Sequence, residues 1–221
     1  MQMVEGIFMH PFHVIAKELL SNGLMLPLME EFYSIQGEGF HTGKAAYFLR
    51  IGGCDVGCAF CDEKESWQAD KHPLTTVEDM LRHIAETPAN TVLVTGGEPC
   101  LYNLDFLCKR LHEKGYHTHI ETSGSEKLSG TWDWICFSPK KGTTVQPEFY
   151  RQAHEMKVIV EDKEDLAWAE LQASRLHPHC ERFLQPEWSS RDDSMPLIID
   201  YILRNPEWKI SIQTHKYMHI P

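Results

Sequence analysis

The stretch GGCDVGCAFCDE, residues 52–63, places Cys54, Cys58 and Cys61 within eight positions. Thiolates are soft ligands that select zinc, copper(I) or iron–sulfur clusters. Structural zinc takes four ligands, commonly from two C-x2–4-C pairs, whereas only three cysteines gather here with the spacing C-x3-C-x2-C. Three thiolates on a glycine-containing loop could instead hold three irons of a 4Fe–4S cluster. The fourth iron would then be open to a substrate or a cofactor.

The other four of the seven cysteines stand singly. Cys108 falls on the apolar face of a predicted helix, Cys136 falls in a predicted strand, and Cys100 follows a turn, so we expect all three to be packing residues. Cys180, or one of the 13 histidines, could supply a fourth ligand to a zinc site. The chain shows no export signal, which predicts a cytoplasmic protein with reduced thiols rather than a disulfide framework.

Seven apolar, β-rich runs recur on either side of this loop and outward to the end of the chain. They are AAYFLRI (45–51), TVLVT (91–95), YHTHIET (116–122), WICFS (134–138), MKVIV (156–160), RFLQP (182–186) and KISIQT (209–214). Helical patterns at 75–87, 103–115, 163–176 and 194–204 lie between several of them. Strands that alternate with helices predict an α/β protein with a mostly parallel sheet. A complete eight-fold barrel usually needs about 250 residues, so the chain favours an incomplete barrel.

Two of the helical patterns carry boundary signals. Thr75 precedes Glu78 by three residues, which is the spacing of a capping box. The pattern at 103–115 repeats apolar residues at i, i+3, i+4 and i+7 from Leu104, and Gly115 is placed to end it.

Polar motifs follow directly after five of the predicted strands. They are TGGEP (95–99), ETSG (121–124), SPKK (138–141), QPEW (185–188) and QTHK (213–216). Ligands of parallel α/β folds bind at the carboxyl ends of the strands. We therefore expect the five motifs to share one rim.

The composition limits the function further. The chain has 221 residues and a net charge of −11, enough for one sizeable core and unfavourable for bulk binding to nucleic acid. It has no apolar run of the roughly 18 residues that span a membrane. A small-molecule substrate is the better expectation. Residues 1–24 read as an N-terminal extension, and Met25 could equally be the true start of a catalytic domain over 25–221.

The cysteine spacing, with Phe60 just before the last cysteine, resembles the signature loop of radical S-adenosylmethionine enzymes. GGEP (96–99) resembles the second motif of that superfamily. The resemblance implies that Cys54, Cys58 and Cys61 ligate a 4Fe–4S cluster whose fourth iron binds S-adenosylmethionine. It also implies an incomplete barrel of about six mostly parallel strands with few helices.

Further segments extend the resemblance over nearly the whole chain, from about Met25 to Pro221. FYSIQGEGFHTGKAAYFLRIGGCDVGCAFCD (32–62), VTGGEP (94–99), IETSG (120–124), FSPK (137–140) and QTHKYMHIP (213–221) closely resemble the 7-carboxy-7-deazaguanine synthase family. The family resemblance implies a homodimeric carbon–nitrogen lyase that converts 6-carboxy-5,6,7,8-tetrahydropterin to 7-carboxy-7-deazaguanine with loss of ammonia. The product leads toward queuosine of transfer RNA. A flavodoxin-type reductant would supply the electron, with no direct contact to nucleic acid.

The resemblance also implies which residues contact each ligand. The pterin would meet Ile35, Gln36, Gly37, Arg50, Thr95 and Pro221. S-adenosylmethionine would meet Phe60, Cys61, Asp62, Gly97, Glu98, Glu121, Ser123, Ser138, Pro139, Lys140, Gln185, Pro186, Glu187 and Trp188. The residues alone leave alternatives open, among them a core position for Phe60 and a solvated surface position for Lys140. Arg50 could be held in an internal ion pair, and Glu98 could cap the turn that follows it.

Glu63 departs from the family pattern, in which many members carry Thr or Ser two residues after the last cysteine as a magnesium ligand. Glutamate is a hard oxygen donor and could bind Mg²⁺ directly. It could also pair with Lys64 and leave the metal site altered.

Two other functions compete with this interpretation. An activase that installs a glycyl radical on a partner protein shares the three-cysteine loop, but does not call for QGEG (36–39) or the tail at 213–221. A non-catalytic iron–sulfur or zinc protein would need a fourth protein ligand, and would leave GGEP and ETSG unexplained.

Overall fold

The computed structural model describes residues 17–221. Residues 1–16, the larger part of the predicted N-terminal extension, lie outside the described residues. Residues 17–21 are helical, and the first strand begins at Met25. Within residues 17–221, every helix is too short or too polar to traverse a lipid bilayer.

One sheet of nine strands organises the described chain. The strands are β1 (Met25–Ile35), β2 (Ala45–Ile51), β3 (Leu74–Thr76), β4 (Thr91–Gly96), β5 (His117–Thr122), β6 (Trp134–Phe137), β7 (Glu155–Val160), β8 (Glu181–Pro186) and β9 (Trp208–Ile210). Their spatial order is β3-β1-β2-β4-β5-β6-β7-β8-β9. Strand β1 pairs antiparallel with β2 and β3, and the other pairs are parallel. The predicted α/β class with a mostly parallel sheet is confirmed, although the sheet has nine strands rather than about six.

The helices lie between the strands as predicted, with two short additions. They are α1 (Val77–Ala85), α2 (Asp105–Glu113), α3 (Pro147–Gln152), α4 (Lys163–Ala173), α5 (Arg191–Arg204) and α6 (Thr214–Met218). The sequence patterns predicted α1, α2, α4 and α5. They missed α3 and α6, which have only six and five residues and too little periodicity to be seen.

The predicted start of α1 was wrong by one residue. Thr76, not Thr75, is the N-cap, and its hydroxyl accepts a hydrogen bond from the backbone N–H of Asp79 at 3.1 Å. Thr75 is held in β3 opposite Leu26, so the chain turns into the helix only afterwards. The predicted stop of α2 holds, because Gly115 adopts φ of +84°, a conformation that favours glycine.

The sheet separates an apolar outer face from a more polar inner face. Buried side chains such as Leu49, Val94 and Ile120 pack on the outer face against the helices. Cys108, Cys136 and Cys100 are buried, as predicted for packing residues. The inner face carries a small apolar group of Ala46, Phe48 and Leu93.

The sheet curls around its inner face without closing. Its edges, β3 and β9, do not pair with each other. Gln36, just after β1, nevertheless donates a hydrogen bond to Glu121 of β5 at 2.8 Å, and Lys157 of β7 forms an ion pair with Glu38. Contacts between strands so far apart in the sheet require strong curvature, as in the incomplete barrel predicted from the sequence.

Candidate active site

The loop with the three cysteines leaves the end of β2 and is anchored by its backbone. The N–H of Gly53 donates to the carbonyl of Ser66 at 2.6 Å, and the N–H of Cys54 donates to that of Trp67 at 3.2 Å. Gly53 has φ of +103°, and a Cβ there would lie 2.4 Å from the Tyr102 hydroxyl oxygen. Only glycine fits this position, which explains the glycine just before the first cysteine.

All three cysteines are free, half-buried and turned into the same cavity. Burial raises the pKa of the thiols of Cys54 and Cys58. Cys180 is buried away from the cavity lining, so it is not placed to complete a four-cysteine zinc site. Over residues 17–221, no three His, Cys, Asp or Glu side chains are grouped as ligands of a single metal ion. Three separated thiolates suit a cluster in which each iron takes one of them.

The GGEP turn packs directly on the cysteine loop. A Cβ on Gly97 would lie 2.1 Å from the carbonyl oxygen of Gly53, so the two backbones touch. The N–H of Gly97 donates to the carbonyl of Ile51 at 2.9 Å, and that of Glu98 donates to the carbonyl of Gly53 at 2.8 Å. The second motif therefore holds the first loop in place.

Glu98 is fully buried, and its carboxylate is saturated by protein donors. One oxygen accepts from the Cys100 N–H at 3.0 Å and from the Thr122 hydroxyl at 2.5 Å. The other accepts from the N–H of Ser123 at 2.8 Å and from its hydroxyl. A carboxylate has about four acceptor positions, and all four are used. Of the two roles open for Glu98, the geometry favours the capping role, which also ties GGEP to ETSG.

Arg50 lies at the end of β2 between two carboxylates. Its Nη1 is 2.5 Å from an oxygen of Glu63, and its Nε is 3.2 Å from an oxygen of Glu30. Its Cζ lies 5.4 Å from the ring centroid of Phe32. Glu63 pairs with Arg50 rather than with Lys64. Burial raises the pKa of Glu63, against the lowering effect of the Arg50 charge.

A buried polar network crosses the inner face of the sheet. Lys157, 4% exposed, pairs with Glu38 and lies 3.5 Å from an oxygen of Glu121. Glu121 accepts from Gln36, and Glu38 accepts from the Gln213 side chain at 2.9 Å. The pKa of Lys157 is well above its ordinary value because these carboxylates outweigh the effect of its burial.

The C-terminal segment closes one side of the cavity and is tied to the cysteine loop. Asp62 accepts hydrogen bonds from Gln213 at 3.0 Å and from the ammonium of Lys216 at 2.8 Å. The N–H of Thr214 donates to the carbonyl of Gly37 at 2.9 Å. Lys216 also lies 4.7 Å from the ring centroid of Trp188. The tail thus links the ends of β1, β8 and the cysteine loop.

The remaining motifs after the strands reach the cavity in different ways. The Lys140 ammonium donates to the Ser138 hydroxyl at 2.6 Å and lies 5.8 Å from the centroid of the Phe60 ring. Burial lowers the pKa of Lys140. The Glu187 carboxylate is hydrogen-bonded to residues that follow it in the chain. It accepts from the Ser189 hydroxyl at 2.6 Å and from the Ser190 N–H at 2.8 Å.

The expected residues converge on one cavity of about 460 Å³. All five strand-end motifs contribute to it, so the predicted common rim is confirmed. Among the residues expected to contact the pterin or S-adenosylmethionine, Pro139 alone does not line it. Further lining residues belong to the QGEG segment or to the motifs expected at the rim, although no ligand contact was assigned to them; they are Glu38, Gly96, Thr122, Gln213, His215 and Lys216. The sequence analysis missed other lining residues, which are Phe48, Val56, Ser66, Trp67, Leu93, Lys157, Ile159 and Ile220. Lys157 had a usable signal, since a lysine inside the apolar run MKVIV is costly to bury without a partner.

Comparisons with known proteins agree with this geometry. Residues 49–135 match the model of the Radical SAM superfamily. The chain is 50% identical over 211 residues to the 7-carboxy-7-deazaguanine synthase of Flavobacterium psychrophilum, a match that covers 94% of this chain and 100% of that protein. The enzyme of the same name from Synechocystis sp. is 42% identical over 194 residues, which cover 88% of this chain and 93% of the relative.

The fold comparison points the same way. The crystal structure of QueE from Escherichia coli matches with a TM-score of 0.79 and 32% identity, covering 89% of this chain and 97% of that one. Similarity at this level over nearly the whole of each relative extends well beyond the cysteine loop. The chain therefore belongs to the 7-carboxy-7-deazaguanine synthase family of radical S-adenosylmethionine enzymes.

Proposed function

We propose that this chain converts 6-carboxy-5,6,7,8-tetrahydropterin to 7-carboxy-7-deazaguanine with release of ammonia, as a radical carbon–nitrogen lyase. The observation that carries the proposal is the single cavity into which the three cysteines, the strand-end motifs and the QGEG segment all project. Such a cavity can hold a cofactor and a pterin side by side. Its product would enter queuosine biosynthesis, as in the family.

The cysteine side of the cavity is the proposed cofactor side. Cys54, Cys58 and Cys61 would hold the cluster. When bound, the 4Fe–4S cluster and S-adenosylmethionine supply a 5′-deoxyadenosyl radical that abstracts hydrogen from the substrate. The backbone of Gly97 and the ring of Phe60 would orient S-adenosylmethionine. The site of S-adenosylmethionine would be lined or supported by further residues from the cysteine loop and the strand-end motifs. They are Asp62, Glu98, Glu121, Ser123, Ser138, Lys140, Gln185, Pro186, Glu187 and Trp188.

The opposite side of the cavity would receive the pterin. Arg50 presents a guanidinium, which pairs with a carboxylate through two parallel hydrogen bonds, and the substrate carries such a group. Ile35, Gln36, Gly37, Thr95 and Pro221 would complete this side. Gln36 is oriented by its hydrogen bond to Glu121. This hydrogen bond therefore joins a residue of the proposed pterin site to a residue of the proposed cofactor site.

The protein's own task is to orient both ligands and to exclude water from a reactive radical. The links from Asp62 to Gln213 and Lys216 hold the C-terminal segment over the cavity. Breaking them would admit water at the side where the cysteine loop meets the tail.

Magnesium is the third proposed cofactor, with Glu63 as its protein ligand. The carboxylate is 30% exposed and is neutralised in part by Arg50. Mg²⁺ takes oxygen ligands and usually keeps several waters, so a single carboxylate is sufficient from the protein. Glu63 would have to turn away from Arg50 to bind it.

The partners and the location are also proposed. A flavodoxin-type reductant would deliver the electron to the cluster side, two chains would form a homodimer, and the enzyme would work in the cytoplasm. Residues 25–221 would form the catalytic domain, with residues 1–24 as an extension.

The alternative functions explain less. A glycyl-radical activase has a protein substrate, and nothing in that role requires Arg50 or Gln36 inside a cavity of this size. A non-catalytic zinc or iron–sulfur protein needs a fourth protein ligand, which the described residues do not group with the three cysteines.

Anaerobic reconstitution tests the proposal. The reduced protein should cleave S-adenosylmethionine and convert the carboxypterin to a product with the mass and absorbance of 7-carboxy-7-deazaguanine. A Cys58→Ala variant is the control and should do neither. If the reconstituted wild-type protein leaves the carboxypterin unchanged while it cleaves S-adenosylmethionine, the synthase function is wrong and the superfamily assignment stands.

A further inference from the structure

Arg50 is fixed on an aromatic base at the edge of the cavity. Its Cζ lies 5.4 Å from the centroid of the Phe32 ring, which stacks on Phe48 at 5.0 Å between centroids. Its side chain is 23% exposed. Packing of this kind holds the guanidinium plane in place, so its partners must adapt to it rather than the reverse.

The two carboxylates beside Arg50 occupy different positions. Glu63 lies at the terminal Nη1 and lines the cavity. Glu30 lies near Nε, without an aligned hydrogen bond, and is not part of the cavity lining. A ligand that enters the cavity therefore reaches the guanidinium from the side that Glu63 holds.

We propose that the Glu63 carboxylate occupies the position on Arg50 at which the substrate's carboxylate binds, and that it must be displaced when the substrate binds. The inference rests on the proposed function, in which Arg50 receives that group. Glu63 satisfies the guanidinium as long as no ligand carboxylate pairs with it, because a largely buried, unpaired cation would be unfavourable. It also makes Arg50 accessible only to ligands that bring a replacement charge.

This arrangement makes Glu63 a competitor for the substrate's carboxylate on Arg50, while Arg50 itself supplies the preference for a carboxylated ligand. A carboxylated pterin exchanges one carboxylate for another on Arg50 and restores the ion pair. A pterin without the carboxylate cannot pair with the guanidinium and leaves Glu63 in place. The exchange lowers the affinity for the carboxylated ligand, because only the fraction of molecules with Glu63 displaced can bind its carboxylate.

The magnitude follows from that fraction. A partly exposed ion pair of this kind favours the arrangement with Glu63 on Arg50 by about two- to fivefold. The apparent dissociation constant of a carboxylated ligand rises by about the same factor. Removing the charge of Glu63 should therefore tighten the binding of a carboxylated ligand by about two- to fivefold.

Binding of two fluorescent probes tests the inference. Pterin-6-carboxylate carries the carboxylate, and 6-methylpterin does not. Both are titrated into the anaerobically reconstituted protein with S-adenosylmethionine bound, without reductant and without Mg²⁺, so that no turnover occurs and Glu63 has no metal to bind. Glu63→Gln should bind pterin-6-carboxylate about two- to fivefold more tightly than the wild type, and should bind 6-methylpterin equally. Glu30→Gln is the matched control and should tighten neither.

The variants also separate this inference from the proposed function. Arg50→Ala should lose the preference for pterin-6-carboxylate over 6-methylpterin. If the preference persists, the substrate's carboxylate does not bind Arg50 and the displacement of Glu63 is wrong, whereas the synthase function is refuted only by the absence of carboxypterin turnover. If Arg50→Ala loses the preference but Glu63→Gln binds pterin-6-carboxylate no more tightly than the wild type, only the displacement of Glu63 is wrong. Glu63→Thr provides a second uncharged variant and should tighten binding in the same direction.

Discussion

Lys157 is the buried cation on which the inner polar network depends, and replacing it should destabilise the protein strongly. Its ammonium pairs with Glu38 and lies 3.5 Å from Glu121. Lys157→Met removes the cation and leaves two carboxylates in a poorly solvated interior. Breaking a buried pair in this way typically costs about 3–5 kcal/mol of unfolding free energy.

The cavity moderates this loss. Gln36 and Gln213 still donate to the two carboxylates, and the cavity admits some solvent, so we expect a loss of about 2–4 kcal/mol. For a chain of this size, each kcal/mol lowers the melting temperature by about 2–4 °C. The variant should therefore melt about 4–16 °C below the wild type at pH 7. Differential scanning calorimetry of the anaerobically reconstituted protein measures this.

The pH dependence gives an independent check with a definite sign. Burial acts to raise the pKa of Glu38, but Lys157 and its hydrogen bonds hold the pKa below the ordinary value. In the wild type, Glu38 therefore contributes stability that is present above pH 4.5 and lost as the pH falls through its folded pKa. Without Lys157, burial remains and the folded pKa rises above the unfolded one. The variant then regains stability as the pH falls, and the difference in melting temperature should shrink between pH 7 and pH 5.

Two further variants complete the test. Lys157→Met combined with Glu38→Gln and Glu121→Gln removes the ammonium and these two carboxylates together, leaves the neighbouring buried Glu155, and should recover at least half of the loss. Lys209→Met removes an ammonium that pairs with Glu181 at the surface, at 2.6 Å, and should cost less than about 1 kcal/mol. If Lys157→Met melts no lower than Lys209→Met, the buried network does not stabilise the fold in the way described.

Three other predictions concern single residues. Cys58→Ala should lose the visible absorption of the cluster and most of the bound iron, whereas Cys108→Ala, a change of a buried packing residue, should keep both, as measured by spectroscopy and iron analysis. Glu63→Ala should raise the Mg²⁺ concentration for half-maximal turnover at least tenfold without changing S-adenosylmethionine binding measured by calorimetry; an unchanged Mg²⁺ requirement would exclude Glu63 as the ligand. Burial lowers the pKa of His119 to about 4, below its unfolded value near 6.5. Between these two pH values the unfolded state binds more protons than the folded state, so the stability of the protein should fall as the pH drops from 6.5 to 4. His119→Gln should flatten that part of the melting-temperature profile, and an unaltered profile would assign the acid sensitivity to other groups.

Local sequence patterns predicted most of the fold because parallel strands and amphipathic helices leave strong periodic signals. Each of the seven apolar runs contains a strand, but the last run, 209–214, contributes only its first two residues to β9 and its final Thr214 begins α6. The two strands that were missed have weak signals of their own: β1 contains Pro27 and the pair Glu30 and Glu31, and β3 has three residues. Both exist through antiparallel pairing with partners elsewhere in the chain, which no local pattern contains.

The sequence likewise predicted some features of the candidate site and not others. The cysteine spacing and the rule that ligands bind at the carboxyl ends of parallel strands were enough to collect the cluster loop and five motifs at one rim. Which side chains meet across the cavity was not accessible. The contact between Lys157 and Glu38 joins residues 119 positions apart, and the one between Gln36 and Glu121 joins residues 85 apart.

Sequence alone therefore determined the chemistry of this protein, because residue types and spacing decide which metals, cofactors and charges a loop can hold. Tertiary structure decided the partners of the charged groups. Nothing in the sequence around Arg50 indicated that Glu63 would be its partner, and nothing around Glu98 indicated the four donors that hydrogen-bond to its carboxylate. The Arg50–Glu63 pair depends on the path of the loop that follows β2, and the contacts of Glu98 depend on β4 and β5 lying side by side. The contacts of Lys157 with Glu38 and of Gln36 with Glu121 depend on how far the sheet curls before its edges stop, and the curvature is a property of the whole sheet rather than of any one segment.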